Sequence, residues 1–501
     1  MSTTGTPPAE GHVVVDDPGH ARSPWWALVV VCFAQFMVIL DATITNVALP
    51  TIQRDLQISD SDLQWVVNSY TLAFGGLLLL GGRASDLLGR RRIFVIGTVL
   101  FSAASLANGL AWSPGALIFF RGIQGIGAAL ITPAALSVIM TSFAEGGERS
   151  KALGVWSAIA AGGAAVGLLL GGVITELLSW EWIFFINVPI GLAVIAAAYR
   201  WVPESHADLG HRRFDVAGAV SVTAGLMLLV YTIVGTLDHG FTSARTLGLF
   251  AVSVLLLAAF IVIETRTLAP LVRLGLLRVR SLAVANVAML VVASGMFAFF
   301  FFATLYLQQV LGFDPIEAGL AFLPFAISIG IGAGSAQVAV RRLGVRLTGT
   351  IGLSVAAAGL LLMGATLAVD GSYWWLLSGM VPMAIGLGWT FVPFTLIATT
   401  NVADEEAGLA SGIFNTSQQI GGALGLAILS TLANDTQQGR LAELGREPAQ
   451  PDVLAAAVAG FQSAFYAGAG LLLLGMLVHT FLLKRRDVSN IDTSAAPVPV
   501  A

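Results

Sequence analysis

The chain has 501 residues, 56% of them hydrophobic and 11% charged, with a mean hydropathy of +0.85. No soluble core hides that much apolar side chain, so the composition excludes a soluble domain and predicts a polytopic, all-α membrane protein. The net charge of −4 decides little, because the sidedness of Lys and Arg matters more than their sum. A single cysteine, Cys32, excludes an intrachain disulfide and a thiolate metal site.

Residues 1–24 are polar, with Pro7, Pro8, Pro18, Asp16 and Asp17, and read as a disordered tail. The apolar run Trp25–Val47 is too long for a signal-peptide core and lacks a small-residue cleavage site, so it is the first span. Asp41 lies about nine residues before Pro50, where that helix is expected to meet the outer face, hence roughly 13 Å deep at 1.5 Å rise per residue. A carboxylate at that depth is costly and points to function. Gln35, on the same run, is a candidate for lining a polar cavity, and Asn46 reads as structural.

Between the second and third apolar runs lies Gly82–Arg92, GRASDLLGRRR, with four arginines in eleven residues. It is either an orientation signal that sorts to the cytoplasm or a conformational latch, with Asp86 placed among the cations. The fourth run contains FFRGIQGIGAALITP. Arg121 is roughly 11 Å deep, close to the depth of Asp41. The two either exchange protons and partners in a shared cavity with Gln124, or form a static buried pair. The glycines after Arg121 follow no strand and are no dinucleotide fingerprint. In the fifth run, Gly163, Gly167 and Gly171 recur every four residues. Such a stripe lets backbones approach for close helix packing, and the same stripe can also be where the halves meet and seal. The sixth opens SWEWIFFINVPIG, where Pro189 frees the carbonyl of Phe185 and Asn187 can help satisfy it. The ninth carries Phe297, Phe299, Phe300, Phe301, Phe302 and Tyr306, facing lipid or a greasy pocket. The thirteenth offers Asn415, Ser417, Gln418 and Gln419, of which Asn415 and Gln418 are candidate cavity residues.

Fourteen runs follow in all: 25–47, 63–82, 93–112, 115–140, 151–176, 181–202, 215–237, 246–264, 282–306, 315–340, 346–369, 373–397, 407–433 and 461–483. With the Arg83–Arg92 loop inside, the inner segments hold twenty Lys and Arg residues and the outer ones only Arg54, Arg245, Arg440 and Arg446. That bias predicts both termini on the cytoplasmic side of the cell membrane. The chain also repeats: Gly154, Gly163 and Gly167 align with Gly412, Gly421 and Gly425, and Gly89, Arg91 and Gly97 with Gly344, Arg346 and Gly352. An offset of eight spans makes the repeat parallel, so the predicted organisation is two six-helix halves, 25–203 and 282–486, around an inserted pair within 204–281, with a second tail at 487–501. Neither Lys151 nor Lys484 follows a GxxxxG, so there is no Walker A loop. No catalytic constellation or metal-ligand spacing is visible, so neither enzyme nor metal site is expected.

The Gly82–Arg92 loop, RGIQGIGAAL and GGAAVGLLLGG resemble the signature motifs of the major facilitator superfamily. With LDATITNVALP, SWEWIFFINVPIG and GIFNTSQQIGGALGLAI they look like its fourteen-helix drug:proton antiporter branch. The resemblance runs from Trp25 to about Arg486 and departs at Leu168, where the antiporter motif has proline. It implies a proton-driven exporter of lipophilic small molecules that works by alternating access as a monomer. The membrane and the proton gradient are then its partners, with no cofactor and no nucleic acid. It also implies proton coupling at Asp41 and Arg121 and a cytoplasmic latch at Gly82, Asp86, Gly89 and Arg90. An importer or dedicated exporter of one metabolite is the alternative within transport. A non-transporting sensor or scaffold is the alternative outside it, though a scaffold has no reason to keep Asp41 and Arg121 in midspan.

Overall fold

The computed structural model describes residues 13–15, 23–143, 147–207, 215–267, 270–273, 275–399, 407–444 and 446–488. Backbone polar groups in a bilayer must be satisfied internally, and the apolar runs fold accordingly into helices. These are α1 Pro24–Leu56, α2 Trp65–Leu88, α3 Arg90–Gly109, α4 Pro114–Ser142, α5 Gly147–Leu177, α6 Trp182–Trp201, α7 Val216–Val234, α8 Ala244–Arg266 and α9 Arg280–Val310. The stretch Pro315–Thr366 holds two predicted spans and breaks at Gly344, whose φ of 80° and ψ of 160° no helix contains. It therefore gives α10 (315–343) and α11 (345–366). Then come α12 Tyr373–Thr399, α13 Ala407–Ala442 and α14 Gln450–Leu482.

Among the described residues, eleven stretches are long and apolar enough to cross a membrane, with Pro315–Thr366 counted once. The two remaining predicted spans coincide with α5 and α13. In α5 the apolar part is described over Gly162–Leu177, and in α13 the polar group Asn415–Gln419 dilutes the run.

Helix ends depart from the sequence expectation at the far side. α1 continues through Pro50 to Leu56, with Arg54 Nε donating to the Pro50 carbonyl, so Pro50 lies inside the helix. Most of the expected outer loop 434–460 is likewise helical, belonging to α13 and α14. At the near side, Val13–Val15, inside the expected disordered tail, forms an antiparallel pair with Ser205–Ala207. Residues 1–12, 16–22 and 489–501 of the two tails lie outside the described residues, as does the acidic loop 401–406.

Packing follows the repeat. In the first half α1 packs on α5 and α6, α4 on α2 and α3, and α3 on α6. In the second, α9 packs on α13 and α14, α12 on α10 and α11, and α14 on the α10–α11 stretch. The backbones touch at glycine: a Cβ at Gly125 or Gly81 of α4 and α2 would overlap the carbonyls of Tyr70 and Ala129, and one at Gly359 would lie 2.6 Å from Met383 N. The halves meet where α2 packs on α13, α5 on the start of α10, and α1 on α9. Hydrogen bonds that cross at the end away from the termini include Gln308 Nε2 to Val47 O (2.7 Å), Gln309 Nε2 to Gln53 Oε1 (2.9 Å) and Ser430 Oγ to Gln64 Oε1 (2.6 Å). The inserted helix α7 lies over this seam. Its Leu226 and Val230 share an apolar cluster with Leu72 of α2 and with Ala423 and Ala427 of α13, while α8 packs on α7 and turns most of its surface outward.

Candidate functional site

Asp41 and Arg121 meet. Arg121 Nη1 donates to Asp41 Oδ2 at 2.6 Å, and their side chains are 0% and 1% exposed. Matching depth on two neighbouring helices of one half brings them together, as the sequence predicts. The pair sits in a polar cluster fed by four helices. Gln124, one turn along α4 from Arg121, donates Nε2 to Asp41 Oδ1 at 2.7 Å and accepts from Arg121 Nη1 at 2.8 Å. Asn187 Nδ2 of α6 donates to the same Asp41 oxygen at 2.9 Å and to Ser105 Oγ at 2.9 Å. From α3, Asn108 Nδ2 donates to Gln124 Oε1 at 2.7 Å, and Ser105 Oγ accepts from Gln124 and donates to the Phe184 carbonyl.

The guanidinium is held independently of the carboxylate. Its Nε donates to the Val66 carbonyl at 3.0 Å, and its Cζ lies 4.4 Å from the Tyr70 ring centroid and 5.7 Å from that of Phe184. A cation between two aromatic faces gains from both ring quadrupoles. Desolvating two charges is costly, and only saturation with further hydrogen bonds makes such a pair tolerable. Here Asp41 receives three donors.

Asn187 reaches Asp41 because α6 is interrupted at Ile186, where Pro189 ahead cannot donate back to Phe185, and the second segment starts at Asn187 itself. The sequence assigned Asn187 only to backbone repair, and Ser105 and Asn108 no role. Their alignment on α3 at a spacing of three was the one signal that pointed to a shared face.

Two expectations change. Gln124, proposed to line the substrate cavity, is fully buried with its amide used within the cluster, since its carbonyl oxygen and its nitrogen both face charged or polar partners. The stripe Gly163, Gly167 and Gly171 packs α5 on α1 of the same half. A Cβ at Gly163 would sit 3.3 Å from Phe36 Cδ2, one at Gly167 would overlap Thr43 Oγ1, and one at Gly171 would sit 2.9 Å from the Ile44 carbonyl. The seam is made one position along, by Leu168 and Gly172. A Cβ at Gly172 would overlap the Pro315 carbonyl and lie 2.8 Å from Ile316 Cα, and one at Gly319 would lie 2.6 Å from Leu168 O. Gln35 stands apart from the cluster, buried, with its Oε1 unpartnered among the described residues, while Asn415 and Gln418 are half-buried on α13 in the other half.

The Gly82–Arg92 segment is a helix junction. Gly89, at φ 108°, joins α2 to α3, and Arg90 Nη2 reaches back to Asp86 Oδ1 at 3.2 Å. Ser137 Oγ of α4 also donates to Asp86, and Arg90 Nη1 donates to Ser205 Oγ. A Cβ at Gly82 would lie an ordinary 3.6 Å from Pro133 Cβ of α4. The partner that sequence reading missed is Glu204. Its carboxylate accepts from the backbone N–H groups of Arg91 (3.1 Å) and Arg92 (3.2 Å), capping the positive end of α3 from a distant loop. Glu204→Ala is expected to lower stability by about 1 kcal/mol, the usual worth of such a cap, as a drop in the thermal midpoint of the purified protein.

A family profile described as Major Facilitator Superfamily matches residues 31–426. The chain is 39% identical over 483 residues to a puromycin resistance protein of Streptomyces alboniger, covering 95% of each. It is 41% identical over 434 residues to a cephamycin export protein of Amycolatopsis lactamdurans, covering 83% of this chain and 87% of the relative. A multidrug resistance protein of Mycobacterium tuberculosis is 34% identical over 438 residues, covering 87% and 81%. Among solved structures, a bacterial homologue of the human lysosomal transporter Spinster, inward-facing and unoccupied, superposes with a TM-score of 0.66 at 16% identity, covering 94% of this chain and 98% of that one. The sequence motifs, the six-helix repeat in the packing and these likenesses agree: the chain belongs to the Major Facilitator Superfamily.

Proposed function

We propose that this protein is an efflux transporter that exports lipophilic small molecules, antibiotics among them, in exchange for protons. The observation that carries the reading is the Asp41–Arg121 pair, a carboxylate and a cation with no access to water, held inside one half by neutral donors that can rearrange. A purely structural role has little use for it, since apolar residues of similar volume often fill such a site as stably. The names of the relatives, which describe resistance and export, favour outward movement.

Alternating access supplies the cycle. With the far end of the seam closed, substrate reaches the space between the halves from the other side. When the halves rock, the far end opens, substrate leaves, and a proton reaching Asp41 weakens its hold on Arg121 and favours the return. Asp86, Arg90 and Gly89 act at the near end, where the α2–α3 junction is tied to α4 and to Ser205. A dedicated exporter of a single product is the second reading, favoured by relatives named for one antibiotic each.

Proteoliposomes carrying the wild type and Asp41→Asn, each given a panel of lipophilic antibiotics and dyes, test the proposal. The wild type is expected to move protons opposite to several compounds, while the folded variant moves none. Proton movement with a single compound would favour the dedicated exporter. Equal behaviour of the two proteins would remove Asp41 from the coupling step.

A further inference from the structure

We propose that Asn187 is the positioning residue that reads the protonation state of Asp41, turning its carboxamide over when the carboxylate takes up a proton. The inference deepens the proposed function and rests on its use of Asp41 as proton carrier.

It follows from an inventory of lone pairs and hydrogens. A carboxylate has no hydrogen to give, so each of its partners must donate, and each does: Arg121 Nη1 to Oδ2, and Gln124 Nε2 and Asn187 Nδ2 to Oδ1. Adding a proton turns one carboxylate oxygen into a donor that needs an acceptor within reach. Gln124 Oε1 already takes hydrogens from Arg121 and from Asn108, which fills its two lone pairs. Ser105 Oγ already accepts from Asn187 and Gln124 while donating to the Phe184 carbonyl. Two buried carbonyl oxygens in the cluster find no partner among the described residues, Asn187 Oδ1 and Asn108 Oδ1. Of these two residues, Asn187 is the one hydrogen-bonded to Asp41. A vacant acceptor in a dry site is a standing cost, and one placed beside a group that can gain a hydrogen has a use.

A half-turn about the Cβ–Cγ bond exchanges Oδ1 and Nδ2 in nearly the same volume and moves no backbone. The proton arrives from water onto Asp41 Oδ1, and the new O–H donates to Asn187 Oδ1. The turn gives up the two bonds that Asn187 Nδ2 donates, to Asp41 Oδ1 and to Ser105 Oγ; the Ser105 hydroxyl can follow by turning from the Phe184 carbonyl to Asn187 Oδ1, and the bonds of Asp41 to Arg121 and Gln124 stay. Of the groups hydrogen-bonded to Asp41, Asn187 alone holds a vacant acceptor; the Tyr70 hydroxyl, also unpartnered among the described residues, makes no hydrogen bond to Asp41. Arg121, from α4, is the one charge against it; Tyr70, from α2, stacks on that guanidinium; α3 supplies the neutral Ser105 and Asn108; and α5 presents the glycines of its stripe.

Infrared difference spectra of the full chain in lipid nanodiscs, recorded between neutral and acidic pH, test the proposal. In the wild type, acidification is expected to produce a carboxylic-acid C=O band that Asp41→Asn abolishes, together with a change in the side-chain amide C=O region. In Asn187→Leu the amide change should vanish and the acid band should move to the higher frequency of an O–H without an acceptor. In Asn187→Thr, whose hydroxyl can still accept and which serves if the leucine variant does not fold, the amide change should vanish while the acid band stays near its wild-type position. An acid band and amide change unaltered by either substitution would overturn the role of Asn187 and leave Asp41 in place. Absence of any acid band sensitive to Asp41→Asn would overturn this inference and the proton-carrier reading together.

Discussion

Arg121→Ala is expected to destabilise the protein by about 3–5 kcal/mol, because it leaves the Asp41 carboxylate buried without a counter-charge. The loss should appear as a sharp fall in folded yield and in the thermal midpoint of the purified protein. The double variant Asp41→Asn, Arg121→Leu should recover most of it, since replacing a buried pair by packed neutral groups is often neutral or stabilising. The double variant is then expected to fold and yet to be unable to couple protons to transport. That combination separates the two meanings of the pair: a fold element is restored by neutral packing, while a coupling element is not. Proton-coupled export by the double variant would reduce the pair to a fold element.

Gly172→Leu should displace the conformational equilibrium. The Cβ at this position overlaps the Pro315 carbonyl, which is backbone of the other half and cannot rotate away. Overpacking of this kind costs about 1–3 kcal/mol. Here the strain exists only while the far end of the seam is closed, so it is relieved by opening, and it multiplies the open population by roughly 5 to 150. Cysteine labelling reads this directly. Cys32 is the chain's single cysteine and is buried, so replacing it with serine and placing a cysteine at Ser430, buried where it bonds Gln64 across the seam, reports the far end alone. Labelling at Ser430 should speed up in Gly172→Leu and export should slow. Gly162→Leu, on the same helix with nothing within 4 Å of its Cβ, should change neither. Equal labelling in the two variants would mean that the contact at Gly172 does not hold the seam shut.

Much of this was legible in the chain because a bilayer leaves few choices. Apolar length gave the spans, and the recurrence of Gly163 and Gly167 as Gly421 and Gly425 gave the halves. Depth along two helices was enough to bring Asp41 to Arg121. What failed depended on rotation about the helix axis rather than position along it. Gly171 and Gly172 are adjacent in sequence, yet one faces α1 of its own half and the other faces Pro315 of the opposite half. An angular error of a single residue therefore assigns the seal to the wrong glycine. Gln124 was placed in the cavity for the same reason, and Asn187 and Glu204 were missed because their partners lie 146 and 113 residues away. No local pattern announces an amide or a carboxylate that serves a distant helix.

The position of α7 across the α2–α13 contact has a consequence for traffic from the lipid. Two flanks of the seam run the length of the bundle, and a molecule dissolved in the bilayer can approach either. Leu226 and Val230 stand over one of them like a screen, bridging Leu72 and Ala427. The flank along α5 and α10 carries no comparable helix among the described residues. The inserted pair thus gives a pseudo-symmetric bundle a handedness toward its surroundings: one flank lies beneath a further helix, and the other is closed by its own backbone contacts alone.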